Sequence, residues 1–319
     1  MRSRREGSHA GMSVLALCAL LGCATAQPPA PLEPQPGPWA TQGESLRRQG
    51  DRWLTRGDPA RAAEAYEAAR RVAESLDDRR TLVGTLNDIG RVALGRGDST
   101  LAITSHGRAV TLARELGASD LLLESLTALG TATHEAGQTE EAEPLYQEAL
   151  DLAQRKADQG AEATLRNNLG LLRQAKGDLE QAALQFRHAM ALNQAAGNLP
   201  SEASNHVNLG MVAEARQAYD VAEQEFERAL ELDKVAEHRT GIAADLLRLG
   251  RVADRRGFPD RGLALFERAY RSYLAQGDRG GAVAALTQAV ACAKKLGRDA
   301  DVARLGQALS RLSVPASAR

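Results

Sequence analysis

The side chains best suited to chemistry are few in this chain and stand far apart. Cysteines occur at 18, 23 and 292, and the histidines of the body at 106, 134, 188, 206 and 238. A zinc site needs Cys and His ligands at close, regular spacings, and no such spacing occurs. His134-Glu135 opens like a metalloprotease helix but lacks the second histidine one turn on. Neither a phosphate-cradling loop nor a G-x-S-x-G elbow is present. Arg56-Gly57-Asp58 and Arg96-Gly97-Asp98 spell an adhesion peptide, but Lys176-Gly177-Asp178 repeats the Gly-Asp pair at the same phase. That recurrence gives glycine to a turn and aspartate to the cap of the next helix. Cys292 falls on an apolar helical face and reads as a small core filler. The sequence therefore offers no residues for catalysis, a metal, a cofactor or a small-molecule substrate. Recognition by surface is what remains.

The composition says which elements must carry such a surface. The chain has 319 residues, 43% of them hydrophobic but only 3% aromatic. Ala, Leu, Arg and Glu dominate, all strong helix formers, and an all-α protein follows. Forty basic and forty-one acidic side chains give a formal charge of −1. Loss of residues 1–22 would remove three Arg and one Glu and leave −3. Such a charge gives no reason to expect nucleic acid as a partner.

Self-similarity is plain. Gly50, Gly90, Gly130, Gly170, Gly210 and Gly250 keep a strict 40-residue period. Seven residues on come Gly57, Gly97, Gly137, Gly177, Gly257 and Gly297, with Gln217 the exception. Ala62, Ala102, Ala142, Ala182 and Ala222 hold another phase, continued by Gly262, and Ala69 to Ala269 a further one. A large ring recurs as Tyr66, His106, Tyr146, Phe186, Phe226 and Phe266. A mid-helix glycine costs about 1 kcal/mol against alanine. Its repetition predicts a close helix crossing there, with the small Ala of the next helix opposite. The second glycine predicts a helix end, after which Asp58, Asp98 or Asp178 caps the next helix and Pro59 or Pro259 occupies its first position. The ring fills the space between successive hairpins. Gln217 predicts a strained or differently shaped turn over 216–220.

Glycine, turn glycine, alanine, ring and alanine at these spacings resemble the tetratricopeptide repeat. The period is 40 rather than 34, like the longer-helix members that include kinesin light chain and the LGN-type adaptors. The resemblance implies a right-handed superhelical solenoid of about seven helix-turn-helix hairpins over residues 43–312. The last hairpin, 279–312, reads as a divergent cap, because Val290, Val302 and Gly306 break the pattern. Residues 313–319 read as a tail. In this family the first helices of the hairpins line a concave groove that clasps a peptide or helix of a partner protein. That implies Asn87, Thr127 and Asn167 in one groove-facing row, continued by Val207 and Leu247. Arg91, Thr131, Met211 and Arg251 stand one turn later with Leu171. His134, Gln174 and Glu214 sit deeper. The set departs from the family's two-carboxylate clamp, which needs clustered Lys and Arg, since Arg91 and Arg251 stand four units apart.

The N-terminus suggests where this scaffold works. Arg2, Arg4 and Arg5 precede an apolar run from Met12 to Leu21. That run is too short to span a bilayer and suits a secretory signal over 1–22. Leu20-Leu21-Gly22-Cys23 resembles the bacterial lipobox, whose cysteine is acylated and becomes the mature N-terminus. Cys23 would then be the membrane anchor. A cut after Ala24-Thr25-Ala26, releasing a soluble protein, and an uncleaved segment are the rival readings. Pro28 to Pro38 contains six of the eleven prolines, and 23–42 reads as a semi-rigid tether. Ala24 after the cysteine implies the outer membrane, facing the periplasm, by the enterobacterial sorting rule. The expected function is a non-catalytic adaptor on the bacterial cell envelope. It resembles lipoproteins that assist assembly of pilus secretins or serve peptidoglycan hydrolases. The alternative is a cytosolic regulator of the same fold that binds a signalling peptide.

Overall fold

The computed structural model describes residues 40–313. The expected signal peptide (1–22), the lipidated Cys23, the tether up to residue 39 and the tail beyond 313 lie outside the described residues. Among the described residues there are fourteen α-helices and no strand. The first seven are α1 (Ala40–Thr55), α2 (Pro59–Ser75), α3 (Arg79–Gly95), α4 (Ser99–Glu115), α5 (Ser119–Glu135), α6 (Thr139–Arg155) and α7 (Gln159–Ala175). They continue as α8 (Leu179–Ala195), α9 (Leu199–Ala215), α10 (Tyr219–Val235), α11 (Arg239–Arg255), α12 (Pro259–Ala275), α13 (Arg279–Lys295) and α14 (Asp299–Ser313). Paired in order, they make a right-handed solenoid of seven hairpins. Its first helix begins three residues ahead of residue 43.

The backbone repeats every 20 residues, half the sequence period, because the turn within a hairpin and the turn between hairpins are the same turn. At the first, the Gly57 N–H donates to the Leu54 carbonyl at 2.9 Å and the Asp58 N–H to the Trp53 carbonyl at 2.9 Å. This is the Schellman arrangement, which satisfies carbonyls the helix end would orphan. Asp58 then accepts from the Arg61 N–H at 3.1 Å and so caps α2. One residue closes a helix and opens the next. Asp78, Asp98, Asp158, Asp178, Asn198 and Asp278 do the same work.

The middle residue of every turn has positive φ. Nine are glycine, and Asp77, Ala157, Gln217 and Glu237 adopt φ of 49–59°. The reshaped turn expected at Gln217 does not occur. Gln217 donates to the Glu214 carbonyl at 3.0 Å and Ala218 to the Ala213 carbonyl at 2.9 Å, as at the glycine turns. The Schellman bonds fix the geometry, so the side chain bears the strain and the backbone keeps its path.

The interior adds a second partner to the one expected for the repeated glycine. A Cβ on Gly170 would lie 2.5 Å from Phe186, and one on Gly210 or Gly250 would lie 2.6 Å from Phe226 or Phe266. The ring of the second helix covers the glycine of the first. The small residue expected opposite the glycine is there too: at Gly262, a Cβ would stand 3.2 Å from the Gly250 carbonyl oxygen. The other side of the ring meets the next hairpin, with Phe186 against Leu209 and Val212 and Tyr66 against Ile89 and Val92. The last hairpin states the rule in reverse. Gly306 replaces the ring, and Val290 takes the glycine's place without a clash to relieve.

Ion pairs bridge successive hairpins along the even helices, as in Arg108–Glu74 at 2.9 Å, Arg114–Glu148 at 2.6 Å and Arg261–Glu227 at 3.0 Å. They are exposed, and pairs of that kind contribute about 0–1 kcal/mol each. Burial of a single ring is worth roughly 1.5–3 kcal/mol. Packing therefore holds the stack, and the charges trim it. Cys292 is buried and unpaired, its thiol pushed up to about 11 by burial and then by Asp254.

Candidate binding groove

The odd-numbered helices form the inner wall. Each packs on its own hairpin partner, and most also come near the next odd helix, as α3 does to α5 and α5 to α7. The even-numbered helices of successive hairpins stay farther apart. Their register puts the expected groove residues on this wall, but not all of them are available.

Asn87 is the clearest departure. It is 3% exposed, its amide donates to Ser125 Oγ at 2.9 Å, and its oxygen meets His106 Nδ1 at 3.1 Å. Nδ1 must therefore carry the proton. This network ties α3, α4 and α5 together and engages both ends of the Asn87 amide, which leaves only a small edge of it at the wall of the groove. His106, in the ring position, is driven down to about 4, first by burial and then by Arg91, so the imidazole is neutral at pH 7. Arg91 does reach the groove. Its guanidinium pairs with Asp88 and stands 3.8 Å from Asp51. Asp88 also holds Arg47 at 2.7 Å, and burial raises its carboxyl against the pull of that arginine. Tyr66 donates to Asp51 at 2.7 Å, and burial raises its phenol strongly.

Two adjoining depressions follow. The first, of about 250 Å³, is lined by Asn87, Asp88, Arg91, Glu124 and Thr131 among others. The second, of about 480 Å³, is lined by Leu123, Glu124, Thr127, Asp158 and Thr164 among others. Thr127 and Thr131 are half-buried, and their hydroxyls donate back to the carbonyls of Leu123 and Thr127 at 2.8 and 3.0 Å. Thr131 Oγ1 also accepts from the Tyr146 hydroxyl at 3.3 Å, so a ligand would meet the two methyls and the Thr127 oxygen. Glu124 was not singled out in the sequence. Only the two depressions sharing it make it visible.

Asn167 belongs to an amide ladder that the repeat spacing does not reveal. Its oxygen accepts from Asn205 at 3.1 Å and Asn208 at 2.8 Å, and Asn193 donates to Asn205 at 2.7 Å. A cleft of about 260 Å³ opens beside it, lined also by Thr164, Ser201 and Ser204. His134 and Gln174 are half-buried, and the Gln174 side-chain oxygen is buried with no hydrogen-bond partner among the described residues. Farther along, Val207, Met211 and Leu247 are half-buried on one core cluster and make the apolar part of the wall. Beside them Arg251 and Arg255 share Glu214, at 3.5 and 3.7 Å. Beneath lies Asp245, fully buried against Arg248 at 3.0 Å, its carboxyl raised to about 7 by burial. No one depression gathers all the expected residues. They are strung along the inner wall, as a contact surface for an elongated ligand would be. Among the described residues no group of His, Cys, Asp and Glu could hold a metal ion, and no helix is long and apolar enough to cross a membrane.

Comparisons agree with this geometry. A tetratricopeptide repeat profile matches residues 80–155 and 121–195, and a second tetratricopeptide repeat profile matches 203–235. No curated protein sequence matches the chain. Among solved structures it is similar to BtubC (BKLC) from P. vanneervenii, at 22% identity over 76% of this chain and 93% of that one, with a TM-score of 0.57. It is similar to the apo form of the quorum sensor NprR from B. thuringiensis, at 14% identity over 86% and 77% of the two chains, TM-score 0.67. It is also similar to a Rap protein complexed with competence and sporulation factor, at 14% identity over 85% and 74%, TM-score 0.62. At these identities the likeness is one of fold. The shared fold, the Schellman turns, the glycine–ring seam and the matched profiles lead to one family: this chain is a tetratricopeptide repeat protein.

Proposed function

We propose that the protein is a non-catalytic interaction scaffold that grips a peptide or helix of a partner protein along its inner wall, and that a lipid on Cys23 holds it at the bacterial cell envelope. The observation that carries the groove is the contrast along that wall. Charged, amide and apolar stretches succeed one another without converging on a reaction centre, which suits an extended ligand better than a small one. Neither matched profile belongs to an enzyme family. The lipobox-like Leu20-Leu21-Gly22-Cys23 behind an arginine-led apolar run supports the anchor. Outer-membrane placement and service to an envelope assembly extend that reading.

A second reading draws on the likeness to the quorum sensor NprR and to the Rap protein complexed with competence and sporulation factor. In it the chain is a cytosolic regulator and the groove takes a signalling peptide. Fractionation of cells expressing the wild type and Cys23→Ser separates the two. The scaffold reading expects the wild type in the membrane fraction and the variant released, with both still capturing the same partner. A wild type that is soluble and unprocessed would remove the anchor and leave the regulator.

A further inference from the structure

We infer that the groove selects a peptide of split charge, with a Lys or Arg that meets Glu124 at one end and Asp or Glu side chains that meet Arg251 and Arg255 at the other. This rests on the groove reading above and says what kind of partner fits it.

The argument starts from which charges are already spoken for. In the two depressions between α3, α5 and α7, Asp88 is held by Arg47 and Arg91. Asp120 pairs with Lys156, and Asp158 accepts the Ala161 N–H at 2.9 Å. Glu124 borders both depressions and has no hydrogen bond or ion pair among the described residues. Burial, and then Asp88, raises its carboxyl against the weaker, longer-range pull of Arg47 and Arg91. A carboxylate so placed gains from an incoming cation, because a direct ion pair offsets both the desolvation cost and the repulsion from Asp88. The apolar rim beside it, Leu94, Leu123 and Ala128, suits the methylene stem of a Lys or Arg.

The far end is the reverse. Arg251 and Arg255 divide one carboxylate, Glu214, between them, and Arg251 Nε is buried with no partner among the described residues. Lys295 takes Asp254 at 2.6 Å, and Lys294 adds an exposed cation at the end of α13. Cations therefore outnumber carboxylates along α11 and α13. Across α1, α3 and α5 the six arginines and six carboxylates cancel, so what that end offers is the single carboxylate of Glu124 rather than a net negative field. Between the ends the wall is uncharged, with Thr127 and Thr131, Asn167, then Val207, Met211 and Leu247. An all-basic ligand would be repelled at the α11 and α13 end and an all-acidic one would leave Glu124 unpaired, and this is how an interface fixes both partner and direction.

The test uses the full chain and four pools of fluorescent 14-residue peptides with degenerate uncharged centres. One pool is basic then acidic, one acidic then basic, one all basic and one neutral. One split-charge pool should bind at least about tenfold tighter than the neutral pool at low salt, the other less, and the preference should fade as salt rises. Glu124→Gln should weaken that pool about tenfold by removing its basic-end contact, and Arg251→Gln with Arg255→Gln should do the same at the acidic end. Neutral and split pools binding alike, or an unchanged preference in both variants, would overturn the inference while leaving the groove standing. If no pool binds at all, the groove reading falls and takes the inference with it. Circular dichroism of the variants, expected to match the wild type, separates lost contact from lost fold.

Discussion

The interior seam and the groove wall lie on two faces of the same odd-numbered helices, and they follow opposite rules. On the seam, residues 40 apart keep one volume: glycine under a ring six times, and neither in the last hairpin. On the wall, the same spacing takes Arg47 to Asn87, Thr127, Asn167, Val207 and Leu247, changing charge, polarity and size. A packed seam tolerates little change of volume, because neighbours on both sides are fixed. The wall faces solvent, so the fold puts no such limit on it and its variation is open to a partner. Where polar groups do enter the seam they are held: His106 by Asn87, and Asp245 by Arg248.

The contrast can be broken in order of expected effect. Phe186→Ala empties the ring position of the fourth hairpin, which is fully buried. It should cost about 3–5 kcal/mol in denaturant unfolding, and a cost below about 1 kcal/mol would show that the seam does not hold the stack.

The buried titrating groups test the same face with opposite signs. The Asp245 carboxyl ionises near 4 when unfolded but near 7 when folded. The folded state therefore binds more protons across that window, and stability falls as pH rises from about 4 to about 7. Asp245→Asn should flatten this fall and gain roughly 2–4 kcal/mol above pH 7. His106 is the converse: its imidazole is protonated near 6.5 unfolded but only near 4 folded, so stability is lost as pH drops through that range. His106→Phe, matching the ring of other hairpins, should remove the acid loss. Thermal melts from pH 4 to 8 read both, and an unchanged pH profile in either variant would show that the group named does not set that slope.

At the turns, Gln217→Gly should relieve the positive φ and stabilise by about 1 kcal/mol, visible as a melting temperature higher by about 2–4 °C. Smallest of all, Thr127→Ala and Arg255→Gln on the wall should shift stability by no more than about 0.5 kcal/mol. Larger losses would mean that the wall, like the seam, serves the fold.

Much of the architecture was legible because the same physical demand recurs. The turn glycines with their aspartates, and the ring with its glycine, announce themselves at period 40. The shorter backbone period of 20 was harder to see, since Gly117, Gly197 and Gly277 alternate with Asp77, Ala157 and Glu237. A residue that accepts strain leaves no mark of its own in composition. The wall was legible in register but not in availability. Asn87 and Asn167 occupy the same phase and each borders a depression, yet Asn87 is almost wholly buried against Ser125 and His106 while Asn167 is only half-buried beside its cleft. Those fates depend on residues about 20 and 40 positions away.

By itself the sequence determined the helices, their turns, the repeat and the face each helix would bury, because these depend on local propensity and on volumes repeated at fixed spacing. Tertiary structure alone decided that the ring lies on the glycine, that Asn87 is held between Ser125 and His106, and that Glu124 stands without a direct ion-pair partner. Those outcomes are settled by what neighbouring hairpins bring within hydrogen-bonding distance, and no single helix carries that information.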